Sequence, residues 1–113
     1  MIVFMPHVFG ESIYDALDEI KEFETIEEMK EYLCNLPNRL IKIKPNDIVI
    51  DNKISHKDER LGWEDKRYVC LKQDDKKIVI GYCATKYKNL EETINRLKQE
   101  NNFKIKMKKL KRY

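Results

Sequence analysis

The chemically densest stretch of the chain is His56 to Arg67, HKDERLGWEDKR. Here Arg60, Trp63, Glu64, Asp65 and Arg67 combine an aromatic ring with charges of both signs. Trp and Arg are among the side chains that most often carry binding energy at protein interfaces. One reading is a recognition loop between two strands, with Trp63 as anchor and Arg60, Glu64, Asp65 and Arg67 as its polar rim. The competing reading is structural. Gly62 makes a bend, Trp63 plugs a sheet edge, and the charges pair with one another or with water.

Other chemistries find less support. His7, His56, Cys34, Cys70 and Cys83 form no C-x-x-C or H-x-x-x-H pair, so no metal or cofactor is expected. Cys34 with His7 or His56 would be a nucleophile and base, yet nothing local lowers the thiol pKa, and inert thiols are expected. Phosphate-cradling glycine loops are absent, and three isolated glycines cannot build one. A metal-free ribonuclease needs only a groove lined by groups such as His56, Arg60, Arg67 and Tyr68. In a chain with 38% charged residues such side chains also recur by chance. The expectation is a protein that is not an enzyme.

Two segments carry charge of opposite sign. The C-terminal NFKIKMKKLKRY offers Lys104, Lys106, Lys108, Lys109, Lys111 and Arg112 to the phosphates of a nucleic acid. Phe103 or Tyr113 is available there for stacking on bases. Lysines along an edge strand also protect against aggregation, which is the blander reading. The acidic residues Asp15, Asp18, Glu19, Glu22, Glu24, Glu27, Glu28 and Glu31 can attract a basic partner. Alternatively they form a solvated surface, with acids favourably placed at a helix N-terminus.

The elements that must position these groups follow from hydrophobic periodicity. Ile2, Val3 and Phe4 read as a short buried strand that Pro6 ends. Between Ser12 and Glu22 the pattern is ambiguous: Ile13, Leu17 and Ile20 have helical spacing, while Ile20–Phe23 also fits a short strand. Thr25-Ile26-Glu27-Glu28 is a capping box opening a helix with Ile26, Met29, Leu33 and Leu36 on one face and Pro37 as its stop. Leu40 to Lys44 alternates, Pro45-Asn46-Asp47 turns the chain, and Ile48-Val49-Ile50 reads as a strand. Asp51-Asn52 is a turn signal, with Ile54 continuing the sheet beyond it.

The clearest hairpin joins Lys66–Gln73 to Lys76–Ala84 through Asp74-Asp75. A two-residue loop sets Leu71 opposite Ile78, Val69 opposite Ile80 and Arg67 opposite Tyr82. Tyr68 then lies over Gly81, and Cys70 shares a face with Cys83 without facing it. Asn89 caps a second helix carrying Leu90, Ile94 and Leu97, which Asn101-Asn102 closes. Phe103, Ile105 and Met107 alternate with lysines as a last strand. The sum is an α+β domain over residues 1–113, a mostly antiparallel sheet with two helices packed on one side.

At 113 residues the chain is the size of one domain, and no linker or repeat divides it. Met1 to Gly10 lacks the basic start and cleavage site of a signal peptide, and no stretch approaches the ~20 apolar residues of a membrane span. Three irregularly spaced cysteines do not make a disulfide framework. A cytoplasmic protein with reduced thiols and no membrane contact is expected.

Asp58-Glu59-Arg60-Leu61-Gly62-Trp63, then a strand, then Ile80-Gly81-Tyr82, resembles a pattern in small uncharacterised proteins of Firmicute phages and mobile elements. The likeness covers about a quarter of the chain and carries no catalytic residue over. It implies a phage or mobile-element accessory protein, a class rich in inhibitors and host-factor binders. The expectation is a small cytosolic protein, monomeric or weakly dimeric, that occupies a partner protein's surface through the Trp63 loop. A nucleic-acid-binding protein using the basic C-terminal segment is the alternative.

Overall fold

The structure, a computed structural model, describes residues 1–7, 13–36 and 43–110. Its strands are β1 (Ile2–Pro6), β2 (Lys21–Phe23), β3 (Ile48–Asp58), β4 (Trp63–Gln73) and β5 (Lys76–Ala84). Its α-helices are α1 (Ile26–Cys34) and α2 (Leu90–Leu110), and a 3-10 helix spans Ile13–Glu19. The strands form one sheet in the order β2-β1-β5-β4-β3, each neighbour antiparallel. The architecture is α+β.

Both readings of the segment after Ser12 are realised in succession, the 3-10 helix first and β2 after it. Thr25 caps α1 by accepting from the Glu28 amide at 3.2 Å. Glu28 reaches back to the amide of Glu24, one residue before the cap, at 3.3 Å. Met29 and Leu33 are buried, while Ile26 stays 38% exposed. The predicted stop at Pro37 and the alternation of Leu40 to Lys42 lie outside the described residues.

Alternation along β1 sends Ile2 and Phe4 to one face of the sheet and Val3 and Met5 to the other. Ile2 and Phe4 pack with Met29 and Leu33 of α1 and with Ile48, Val69, Leu71 and Cys83. Val3 and Met5 pack with Ala16 and Leu17 of the 3-10 helix, Leu97 of α2, Leu61 and Trp63. The two helices therefore cover opposite faces, which corrects the expectation of both on one side. The reason lies in β1 itself: four consecutive apolar residues are buried on both faces, and each face needs its own cover.

Three register shifts decide where side chains point. The Asp74-Asp75 turn pairs Gln73 with Lys76 and Leu71 with Ile78 as the pattern predicts, with Asp74 at φ +53°. Beyond Cys70 the pairing slips: Val69 faces Gly81, Tyr68 faces Tyr82 and Arg67 faces Cys83, leaving Ile80 as an extra residue. This corrects the predicted pairs of Val69 with Ile80 and Arg67 with Tyr82. It also puts Cys83, not Tyr82, beside Val69 in the core. The ring over Gly81 belongs to Phe4 of the neighbouring strand, not to Tyr68: a Cβ on Gly81 would meet the Phe4 ring at 2.4 Å.

The second shift lies in β3, between Asp51 and His56. The predicted turn at Asp51-Asn52 is absorbed there, and the strand runs on through it. The third, between His56 and Asp58, sets Glu64 and Asp65 of β4 against Lys57 alone. It reverses the alternation between Trp63 and Lys66.

The largest correction concerns the C-terminus. Phe103 to Met107 is not a strand; α2 runs from Leu90 through Asn101-Asn102 to Leu110. Asn89 caps it as expected, its side chain accepting from the Glu92 amide at 3.1 Å. Asn tolerates the left-handed conformation but does not require it, and once a helix is nucleated each further residue adds a hydrogen bond.

Candidate functional site

The segment His56–Arg67 is a tight β-hairpin, not an open loop. His56 to Asp58 ends β3 and Trp63 begins β4. Gly62 makes the bend at φ +72°, a conformation that favours glycine. The Asp58 carboxylate accepts from the Leu61 amide at 3.2 Å and from Lys66 Nζ at 2.9 Å. Burial opposes its charge, but these contacts and the Lys66 charge prevail and hold its pKa below the ordinary 3.8.

Trp63 is 1% exposed, packed in the core under α2 and the 3-10 helix. The expectation of Trp63 as a surface anchor is corrected: its burial consolidates the fold and leaves nothing for a partner. Asp65 is 9% exposed and holds the chain that leads into α2. It accepts from the Thr85 amide at 2.9 Å, the Lys86 amide at 2.8 Å and the Thr85 hydroxyl. Burial would raise its pKa, yet these three hydrogen bonds and the Arg67 charge outweigh burial and lower it. Asp65 thus acts as a structural clasp.

Arg60 is likewise engaged. Its guanidinium lies 4.8 Å from the centre of the Tyr14 ring, donates to the Tyr14 hydroxyl and reaches Glu100 at 3.5 Å. Its carbonyl accepts from Arg96. Arg67 donates to Asn52 at 2.9 Å, while Glu64 is exposed and its backbone amide donates to the Lys86 carbonyl at 2.8 Å. Arg60, Glu64, Asp65 and Arg67 do not form one rim.

The basic segment is rearranged by its helical conformation. In a strand Lys104, Lys106 and Lys108 would line one face; at 100° per residue they spread around the axis with Lys109. Lys104 turns inward, its ammonium 5.0 Å from the centre of the Tyr14 ring. Lys111 and Arg112 lie outside the described residues. The helix instead brings Phe103 and Met107 to one side, four residues apart, at 65% and 41% exposure. Sequence reasoning missed this pair because the same residues also satisfy a two-residue alternation.

The acidic residues are partly used within the fold. Asp18 pairs with Lys98 at 3.0 Å, and Glu22 accepts from the Tyr87 hydroxyl. Burial and then the Glu22 contact push the Tyr87 pKa up. Cys83 is buried, and that burial raises its pKa to about 11, so the thiol stays protonated and unreactive near neutrality. Cys34, Cys70 and Cys83 form no disulfide.

Among the described residues no three His, Cys, Asp or Glu side chains gather as a metal-binding group, and no helix is long and apolar enough to cross a membrane. No family model, curated protein or solved structure matches the chain.

Proposed function

We propose that this chain is a binding protein, without turnover of its own, that occupies a partner protein's surface with the outer half of α2. The observation that carries the proposal is the exposure of Phe103 and Met107 on one side of a helix whose inner half is packed. Lys106 lies three residues from Phe103 and flanks that pair, while Lys108 and Lys109 are exposed further round the helix. A half-helix of this kind fits an apolar groove with an acidic border: the apolar anchors supply affinity and the lysines supply orientation and on-rate. An origin in a phage or mobile element, and action in the cytoplasm, belong to the same proposal. They rest on the Asp58–Trp63 likeness and on three cysteines too few and too irregularly spaced for a disulfide framework.

The test is affinity capture from an extract of the source cells with the full chain, with and without nuclease, against Phe103→Ala/Met107→Ala. The expected result is a nuclease-resistant protein partner that the double variant holds at least about thirtyfold more weakly. Capture that nuclease abolishes, or that the double variant retains in full, refutes the proposal. Circular dichroism on each protein confirms that α2 is still formed.

A further inference from the structure

β2 ends the sheet on the side away from β3, and among the described residues no strand pairs with its outer side. Its inner side pairs with β1, Glu22 opposite Val3 and Phe23 opposite Ile2. Alternation sends Lys21 and Phe23 to the α1 face. There the Phe23 and Tyr32 rings lie 5.2 Å apart, and the Lys21 ammonium stands 5.9 Å from the centre of the Tyr32 ring. Glu22 points to the other face and accepts from the Tyr87 hydroxyl. An unpaired edge offers backbone donors and acceptors to a further strand. With three residues β2 offers few of them, so a strand held there needs side-chain contacts as well.

Those contacts are available beside Glu22. A groove of about 530 Å³ lies between β2 and the first turns of α2, lined by Glu22, Tyr87, Leu90, Glu91, Ile94 and Asn95. Its volume falls within the roughly 300–1,000 Å³ of ligand pockets. Tyr87, Leu90 and Ile94 are half-buried and give it an apolar wall. Its charge is negative: among the described residues no cation lies within ion-pair distance of Glu22 or Glu91. Lys88 also borders the groove, but its stem lies against Gly62, where it lines a separate concavity with Glu59 and Glu92. The positive end of α2 would favour an anion, yet Asn89 already takes the Glu92 amide, and Glu91 and Glu92 occupy the first turn. Glu19 and Glu24, exposed on either side of β2, extend the negative sign along the edge.

We infer that a basic, extended peptide segment of a partner protein adds to the outer side of β2 as a further strand, one Arg or Lys reaching into the groove. Strand addition draws affinity from main-chain hydrogen bonds and specificity from pockets that take alternate side chains. The residue opposite Glu22 projects to the same face as Glu22. A cation there pairs across the strands, and its apolar stem lies along Tyr87, Leu90 and Ile94. Its neighbours project to the α1 face, where the one opposite Phe23 meets a half-buried ring and is apolar. Charge also selects against a second copy of this chain: a two-fold pairing centred on β2 sets Glu22 against Glu22. The inference is independent of the outer half of α2, which takes no part in the groove.

The experiment titrates the isotope-labelled full chain with an end-blocked Thr-Val-Arg-Val-Thr peptide at low salt, following amide shifts and hydrogen exchange by NMR. The peptide reads the same in both directions, so it suits parallel or antiparallel pairing. Saturable shifts are expected at Lys21, Glu22 and Phe23 and in the first turns of α2, with slower exchange of the β2 amides. Glu22→Gln/Glu91→Gln should weaken binding about 2- to 30-fold, as loss of two cross-strand charge pairs does. Glutamine keeps an acceptor for the Tyr87 hydroxyl, and an unchanged spectrum away from the groove checks the fold. The same peptide N-methylated at every internal amide keeps its charge and loses its backbone donors, and should bind about tenfold more weakly or worse. Equal binding of the N-methylated peptide, or of N-acetylarginine amide alone, overturns strand addition. So does an affinity that the double variant retains in full, or an absence of shifts at low salt. Shifts confined to the outer half of α2 assign the peptide there and overturn the inference. A dimer of the free chain that the peptide dissociates makes a second copy the occupant, and overturns it too.

Discussion

The two halves of α2 share one axis and meet different surroundings. From Leu90 to Glu100 the helix is held on one side: Leu97 is fully buried, Thr93 donates to the Asn89 carbonyl, and Glu100 meets Arg60 and Tyr14. From Asn102 to Lys109 every side chain is exposed, and Lys104 alone turns back to a ring, that of Tyr14. Composition differs less than surroundings do, since both halves carry apolar residues. The difference teaches that burial follows the phase of the apolar stripe. Leu90, Ile94 and Leu97 recur at helical spacing on the side facing the sheet, whereas Phe103 and Met107 are rotated away from that line. A helix can be propagated past its support, and what it then carries is available for use.

The sharpest break of this comparison is a pair of truncations to alanine. Leu97→Ala should cost about 2–5 kcal/mol, as removal of a buried Leu does. Phe103→Ala should stay within about 0.5 kcal/mol. Urea melts measure both, and equal effects would mean that the outer half is packed in solution. A smaller effect is expected where the chain enters the packed half. Asp65→Ala removes three hydrogen bonds to a carboxylate and should cost about 1.5–3 kcal/mol at neutral pH. Because the folded pKa values of Asp58 and Asp65 are lowered, their contribution is complete above about pH 4 and is lost as pH falls through the folded values. Melts of Asp65→Asn against pH should therefore keep a constant gap from the unaltered protein above about pH 4 and converge on it as pH falls below that. Smallest is the cap: Asn89→Ala should cost about 1 kcal/mol, read as a lower melting temperature with the outer half's exposure unchanged.

Much of the fold was legible because it depends on local rules. The Thr25 and Asn89 caps, the Asp74-Asp75 turn, the Gly62 bend and the first pairs of the β4–β5 hairpin are all as the pattern predicts. Each needs only a few neighbouring residues. The candidate site was far less legible. Trp63 has the chemistry of an anchor, and only its packing beneath Leu61, Leu97 and Val3 takes it off the surface. Arg60 has the chemistry of a rim, and only the approach of Tyr14 and Glu100 from distant parts of the chain occupies it. Tyr68 and Tyr82 become cross-strand partners only through a shifted pairing that no periodicity encodes.

By itself the sequence determined an α+β chain with its caps, two of its turns and most of its core residues, because propensity, capping and burial of apolar side chains act over a few residues. Tertiary structure decided which face each helix covers, since β1 is apolar on both sides and gives no preference of its own. It also decided whether the chain after Asn102 is strand or helix. Its alternating lysines satisfy both periods, and the tie goes to the helix already nucleated at Asn89 and anchored by Leu97, which extends at one hydrogen bond per residue where a strand would need a partner edge.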